Sequence, residues 1–290
     1  MRACVRQMHI AESELLVIAP DLETQRIVQD LVREYGDRSD WPKDRQVVRF
    51  IRDAGIGKPA AINLALREAY GDIFVMTDGD VVVDQGAIDL LIAPFLNSRV
   101  GATTGRVMAT DDRRTKYGFW AHVLTDAGAH ETRLHAQKNG NMIECSGYLM
   151  AVRKILVGDL PEEGLIDDSV LSHQIIASGS LILYVPEAIV RVTYPTHFSD
   201  WKKQKIRTVG GYHQQFMKNK IGMRSFGQEI FGVLPIFRYP RSMREWWWLG
   251  QLFFARLYVW VAAIWYVRVL RRSLSDIWKP VASTKRRGSE

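Results

Sequence analysis

Hydrophobic and polar positions alternate in blocks along the first two hundred residues. "ELLVIAPD" (14–21) is a short apolar run that ends at Pro20-Asp21, which predicts a strand and its exit turn. In "LETQRIVQDLVREYG" (22–36) the apolar residues Ile27, Val28, Leu31 and Val32 share one helical face, and Gly36 supplies a stop. The same alternation continues with a strand over 45–53, a helix over 58–71 that has Pro59 in its first turn, and a strand over 72–78. A helix over 84–97 and a strand over 100–109 follow. Residues 110–140 read as polar and irregular, 142–154 as strand-like, and 162–179 as a loop followed by a helix. Two strand-like runs flank Pro186 in 180–195. Strands that alternate with helices predict an α/β layer with a mostly parallel sheet, and 11–200 can share one core.

The run "IFVMTDGDVVVD" (73–84) breaks at Asp78-Gly79-Asp80. An Asp-Gly turn is the plain explanation. The alternative is a ligand site, because ligands in such sheets bind at the carboxyl ends of strands. A second acidic pair, Asp167-Asp168, opens the helix after residue 166, where capping and the helix dipole also favour carboxylates. Together the pairs suggest a division of labour. One pair can hold a hard divalent cation, manganese or magnesium, and the other can offer a general base. In "GIGKPAAIN" (55–63), Lys58 sits at a helix start behind two glycines, as either a phosphate contact or a solvated lysine. The spacing is not that of a P-loop. In "DWKKQKIRTVGGY" (200–212), Gln204 and Arg207 share a helical face that is otherwise simply basic.

Charge divides the chain. Residues 1–200 carry 21 Lys+Arg against 28 Asp+Glu, and residues 201–290 carry 18 against 4. The acidic body suits a cation or a soluble substrate, and the basic end suits phosphate. The two cysteines, Cys4 and Cys145, make neither a disulfide framework nor a zinc spacing. "MRACVRQMHI" has no apolar secretory region. No nucleic-acid module is recognisable, since the aromatics gather in an apolar tail and not along a basic groove.

The order of the elements is more specific than any one of them. "GKPAAIN", a strand into Asp-Gly-Asp, "SGYLMAVRK", "IDDSVL" and "QKIR" follow one another in a way that resembles family-2 inverting glycosyltransferases of the GT-A fold, over roughly residues 14–215. The resemblance implies a GT-A, Rossmann-like mixed sheet flanked by helices. It implies that Asp78 and Asp80 hold a divalent metal (Mn or Mg) and the donor diphosphate. It makes Asp168 the general base, with Asp167 beside it where glutamate is usual. It places Lys58, Gln204 and Arg207 near the diphosphate and Asp21 near the base and ribose. Thr208 stands where the family has tryptophan, and nothing before residue 14 matches the family's first strand. The implied domain, 1–215, is therefore expected to lack that strand.

The resemblance implies inverting transfer from a nucleotide-diphosphate sugar to a lipid-linked or polysaccharide acceptor, with no nucleic-acid partner. A metal-dependent nucleotidyltransferase and a truncated, catalytically impaired glycosyltransferase-like membrane protein are the alternatives. The last region, 216–290, reads as a basic, aromatic-rich tail. "WWWLGQLFFARLYVWVAAIWYVRVL" (246–270) comes near the ~20 apolar residues that span a bilayer, though Gln251 and Arg256 interrupt it. It predicts a helix that lies on or crosses a membrane, with the catalytic domain at the cell membrane on its cytoplasmic side.

Overall fold

A computed structural model describes residues 1–8, 13–35, 47–162, 166–212 and 234–265. The elements run α1 (Arg2–Val5), β1 (Leu15–Ala19), α2 (Leu22–Tyr35), β2 (Val48–Arg52), α3 (Lys58–Glu68), β3 (Ile73–Thr77), β4 (Val82–Val83) and α4 (Ala87–Ile92). They continue with β5 (Val100–Ala109), α5 (Lys116–His122), a π-helical stretch (Val123–His130), α6 (Glu131–Lys138), β6 (Leu149–Arg153) and α7 (Asp167–Ala177). β7 (Leu181–Val192), α8 (Phe198–Tyr212) and α9 (Met243–Ile264) complete the described chain.

β1 and β2 pair in parallel, and the other strands form one sheet in the order β3-β6-β5-β7-β4. That sheet is mixed. β6 runs antiparallel to both β3 and β5, and β5 runs parallel to β7. The mostly parallel sheet expected from the alternation is thus corrected to a mixed one, because β6 enters between β3 and β5 in reverse. Alternation within β6 splits the core. Met150 and Val152 face α3 and α7 with Ile62, Leu66, Leu171 and Ile175. Leu149 and Ala151 face the other way, onto Ala87 and Leu91 of α4.

β7 is a single strand and not two. Val185 pairs with Gly105 and Ile189 with Arg106, so Pro186, Glu187 and Ala188 bulge out between them. Proline has no amide to give a ladder and is tolerated in such a bulge. The bulge brings the Ala188 carbonyl within 2.4 Å of where a Cβ on residue 105 would lie, which requires glycine there.

Residues 116–138, expected to be irregular, are helical throughout. The pattern hid this because their polar side chains are engaged inside the fold. Asp126 accepts from Arg106 and from the Tyr239 hydroxyl, and Arg133 donates to the Glu144 carbonyl.

The tail reading is also corrected. Among the described residues no helix is long and apolar enough to cross a membrane. The expected C-terminal membrane helix, and the cell-membrane placement drawn from it, therefore have no spanning segment behind them. α9 instead presents Leu249, Leu252, Ala255, Val259 and Ala263 to Phe119 and Trp120 of α5 and to Trp201 and Ile206 of α8. Glu245 accepts from Arg113 at 3.1 and 3.2 Å, and the Trp120 indole donates to the Trp248 carbonyl at 2.8 Å. One face of the helix thus serves the protein's own core, while Trp247, Phe254, Leu257, Tyr258 and Val261 on the rest of it are exposed, and the basic runs beyond residue 265 lie outside the described residues.

Leu249 is 2% exposed and Phe254 is 76% exposed. Leu249→Ala should therefore cost about 2–5 kcal/mol in denaturant unfolding, and Phe254→Ala should stay within about 0.5 kcal/mol. Equal small effects from both would refute the packing of α9 on the domain.

Candidate active site

β3 ends at Thr77, and Asp78, Gly79 and Asp80 form the turn into β4. The turn and the site proposed for these residues thus coincide at a strand's carboxyl end. α3 begins at Lys58, with Gly57 before it at φ 142°. The Lys58 ammonium lies 2.7 Å from Asp78 Oδ1 and 3.2 Å from Asp167 Oδ2. Burial alone would lower its pKa, but Asp167, Asp78 and Asp168 outweigh that and hold it above the ordinary lysine value.

Asp167 and Asp168 are the first two residues of α7, preceded by Ile166, which makes no side-chain cap. Asp167 therefore pairs with Lys58 and does not cap the helix. Asp168 Oδ2 accepts from the Gly147 amide at 3.0 Å, and Oδ1 accepts from the Ser169 amide at 2.9 Å. Its carboxyl is raised to about 6. Burial is the main cause, followed by the charges of Asp167 and Glu144, while Lys58 and the Gly147 amide pull the other way.

Gln204 and Arg207 lie on α8, as the spacing predicts. Gln204 Nε2 is 3.4 Å from the Tyr148 hydroxyl, and the charge of Arg207 reaches the same phenol. Asp80 is exposed on the turn, and its charge also reaches Tyr148. Asp21 follows β1, and its carboxylate accepts from the Thr24 amide at 2.7 Å and the Thr24 hydroxyl at 2.9 Å. These bonds cap α2 and hold the Asp21 carboxyl below its usual value. Among the described residues no bond joins Asp21 to the Lys58 cluster.

Sequence reasoning missed three residues. At Gly147 a Cβ would lie a tight 3.1 Å from Lys58 Nζ and in ordinary contact, 3.5 Å, with Asp168 Oδ2, so the main chain there runs directly beside both side chains. Tyr148 stands among Asp78, Asp80, Asp168 and Arg207. Glu144 accepts from the Ser169 hydroxyl and adds negative charge beside Asp168. The first two lie in "SGYLMAVRK", a strand and one element of the family's order to which the resemblance assigns no site residue; Glu144 has no periodic signal.

Among the described residues no group of three or more His, Cys, Asp or Glu side chains is arranged to hold a metal. Asp78 and Asp80 supply two carboxylates. Magnesium-like cations are commonly held by one or two carboxylates together with substrate phosphates and water. The donor set therefore fits a cation shared with a diphosphate and not an all-protein cage.

The mixed sheet flanked by helices, with an acidic cluster at its strand and helix ends, agrees with a glycosyltransferase of the GT-A fold. Residues 1–211 match the model described as "Glycosyltransferase like family 2", and the chain belongs to that family. The "Probable glycosyltransferase YdaM" of Bacillus subtilis (strain 168) is 22% identical over 222 residues, which cover 75% of this chain and 52% of that protein. An N-acetylglucosaminyltransferase of Azorhizobium caulinodans is 23% identical over 182 residues, covering 58% of this chain and 45% of the relative. The chain thus spans about half the length of the curated relatives it matches. A solved mannosyltransferase from Pyrobaculum calidifontis, in complex with GDP-Man and Mn2+, is similar over 95% of this chain and 83% of its own, with a TM-score of 0.45 and 16% identity.

The raised Asp168 carboxyl has a stability consequence. A carboxyl at about 6 when folded and near 4 when unfolded binds more protons in the folded state between those values. It therefore destabilises the fold above about pH 6, and that cost fades as the pH falls towards 4. Asp168→Asn should raise stability at pH 8 by on the order of 1–2 kcal/mol, with a smaller gain at pH 5. Denaturant melts at the two pH values test this; destabilisation at both would contradict it.

Proposed function

We propose that this chain carries the catalytic domain of an inverting, metal-dependent glycosyltransferase. It would move a sugar from a nucleotide-diphosphate sugar to a hydroxyl of a glycan acceptor, lipid-linked or polymeric. The observation that carries this reading is the Lys58 bridge, which joins Asp78 and Asp167, two positions far apart in the chain, in one site. Family membership over residues 1–211 supports it independently.

In this reading Asp168 takes the proton from the acceptor hydroxyl as its oxygen attacks the anomeric carbon. The bond from that carbon to the diphosphate oxygen breaks in the same displacement, so the configuration inverts. A basic carboxylate suits the task, and the raised Asp168 carboxyl is closer to working pH than an ordinary aspartate. Negative charge builds on the departing diphosphate. Lys58 and Arg207 would be the cations that meet it, with Gln204 as a neutral donor. Asp78 and Asp80 would hold the divalent ion, which when bound adds positive charge at the same oxygens. Asp21 would face the ribose from the end of β1. No second carboxylate nucleophile is required, unlike a retaining mechanism.

A panel of nucleotide sugars, assayed with manganese or magnesium and glycan acceptors, tests the reading. Asp168→Asn should lower transfer by about 10²–10⁴-fold. For the unaltered protein, kcat/KM should fall as the pH drops through about 6, because the base becomes protonated. Intact transfer by Asp168→Asn would remove the base assignment. Asp80→Ala should abolish the manganese dependence of nucleotide binding, and an unchanged dependence would remove the metal assignment.

A further inference from the structure

Tyr148 and the peptide before it meet all three parts of the candidate site. Its carbonyl accepts from the Thr77 hydroxyl at 2.8 Å, next to Asp78. The amide before it, that of Gly147, holds Asp168. Its own hydroxyl meets Gln204 on α8 at 3.4 Å. The start of β6 therefore ties the Asp-Gly-Asp turn to the base through main-chain atoms, while its contact with α8 is made by a side chain.

That contact matters because of what α8 carries. Arg207 lies three residues beyond Gln204, on the same face. Gln204 Oε1 is buried without a hydrogen-bond partner, so the phenol is the one group found to satisfy this amide among the described residues. The ring is largely covered and packs with the Leu149–Ala188 side of the core, so it is a rigid post. Burial and the charges of Asp78, Asp80 and Asp168 push the phenol above its ordinary pKa, which keeps it a neutral O–H able to donate as well as accept.

We propose that Tyr148 is a positioning residue: its hydroxyl docks α8 against the acidic cluster and so sets where Gln204 and Arg207 stand towards the leaving group. The proposal rests on the transferase reading. Its specific content is that the hydroxyl acts through α8. The ring and the main chain of Tyr148 do the structural work, so Tyr148→Phe removes the docking bond alone.

Two measurements on the full chain test this. In steady-state transfer with the best donor of the panel, Tyr148→Phe should lower kcat by about tenfold, the scale of one hydrogen bond, with a smaller change in the acceptor KM. The same substitution in a Gln204→Leu background should have little further effect, because the bond is already gone. The thermal midpoint should stay near that of the parent in each variant, which a purely structural role would not allow. In the second measurement, amide hydrogen exchange over Phe198–Tyr212 should quicken in Tyr148→Phe by up to about tenfold, while the β6 amides stay protected. A kcat loss that persists in full in the Gln204→Leu background overturns the route through α8. Unchanged exchange in α8 overturns the docking itself. If the parent chain transfers sugar from no donor, the transferase reading falls, and the exchange measurement still decides whether the hydroxyl docks α8.

Discussion

The site depends on one ammonium group placed among carboxylates. Lys58 is within ion-pair distance of Asp78 and Asp167, and its charge reaches Asp168. Without it, the end of β3 and the start of α7 would bring like charges together in a partly buried space, which is unfavourable. With it, α3, β3 and α7 share an electrostatic tie. The tie runs against local preference. A lysine at the first residue of α3 faces the positive end of the helix dipole, and the first turn of α3 has no acidic residue to offset it. A break with the local rule at a functional site is where a tertiary requirement shows itself.

The main chain at the start of β6 is the second tie. Reversal of β6 between β3 and β5 delivers Gly147 and Tyr148 to the same end of the sheet as Asp78. A Cβ at residue 147 would press on the Lys58 ammonium and lie in ordinary contact with Asp168, so the glycine lets the main chain run close beside both. The amide that this leaves open donates to Asp168 and partly offsets the burial that raises its carboxyl. Sheet topology and base strength are thus linked through one peptide group.

α9 shows how composition can mislead. Its aromatic content resembles that of a membrane helix, yet one face fills a core with α5 and α8. A helix that packs on its own domain and a helix that meets lipid both need apolar residues. Only the partners across the helix separate the two cases, and Phe119, Trp120 and Trp201 are distant in the chain. The same limit hid the helices over 116–138, whose polar residues are spent on internal bonds to Arg106, Tyr239 and Glu144.

The sequence by itself determined the α/β alternation, the family, and the residues Lys58, Asp78, Asp80, Asp167, Asp168, Gln204 and Arg207 as one ordered set. The alternation is written in local periodicity, and the family and its ordered residues in a resemblance of short motifs along the chain; both survive without knowledge of the fold. Tertiary structure alone decided the strand order, the passage of β7 through Pro186, the packing of α9, and the meeting of Gly147, Tyr148 and Glu144 with Asp168. Each of these depends on contacts between residues far apart in the chain, and such contacts leave no period to read. Asp78 carries both kinds of information: an Asp-Gly turn when read locally, and one end of the Lys58 bridge once α3 and α7 are folded beside it.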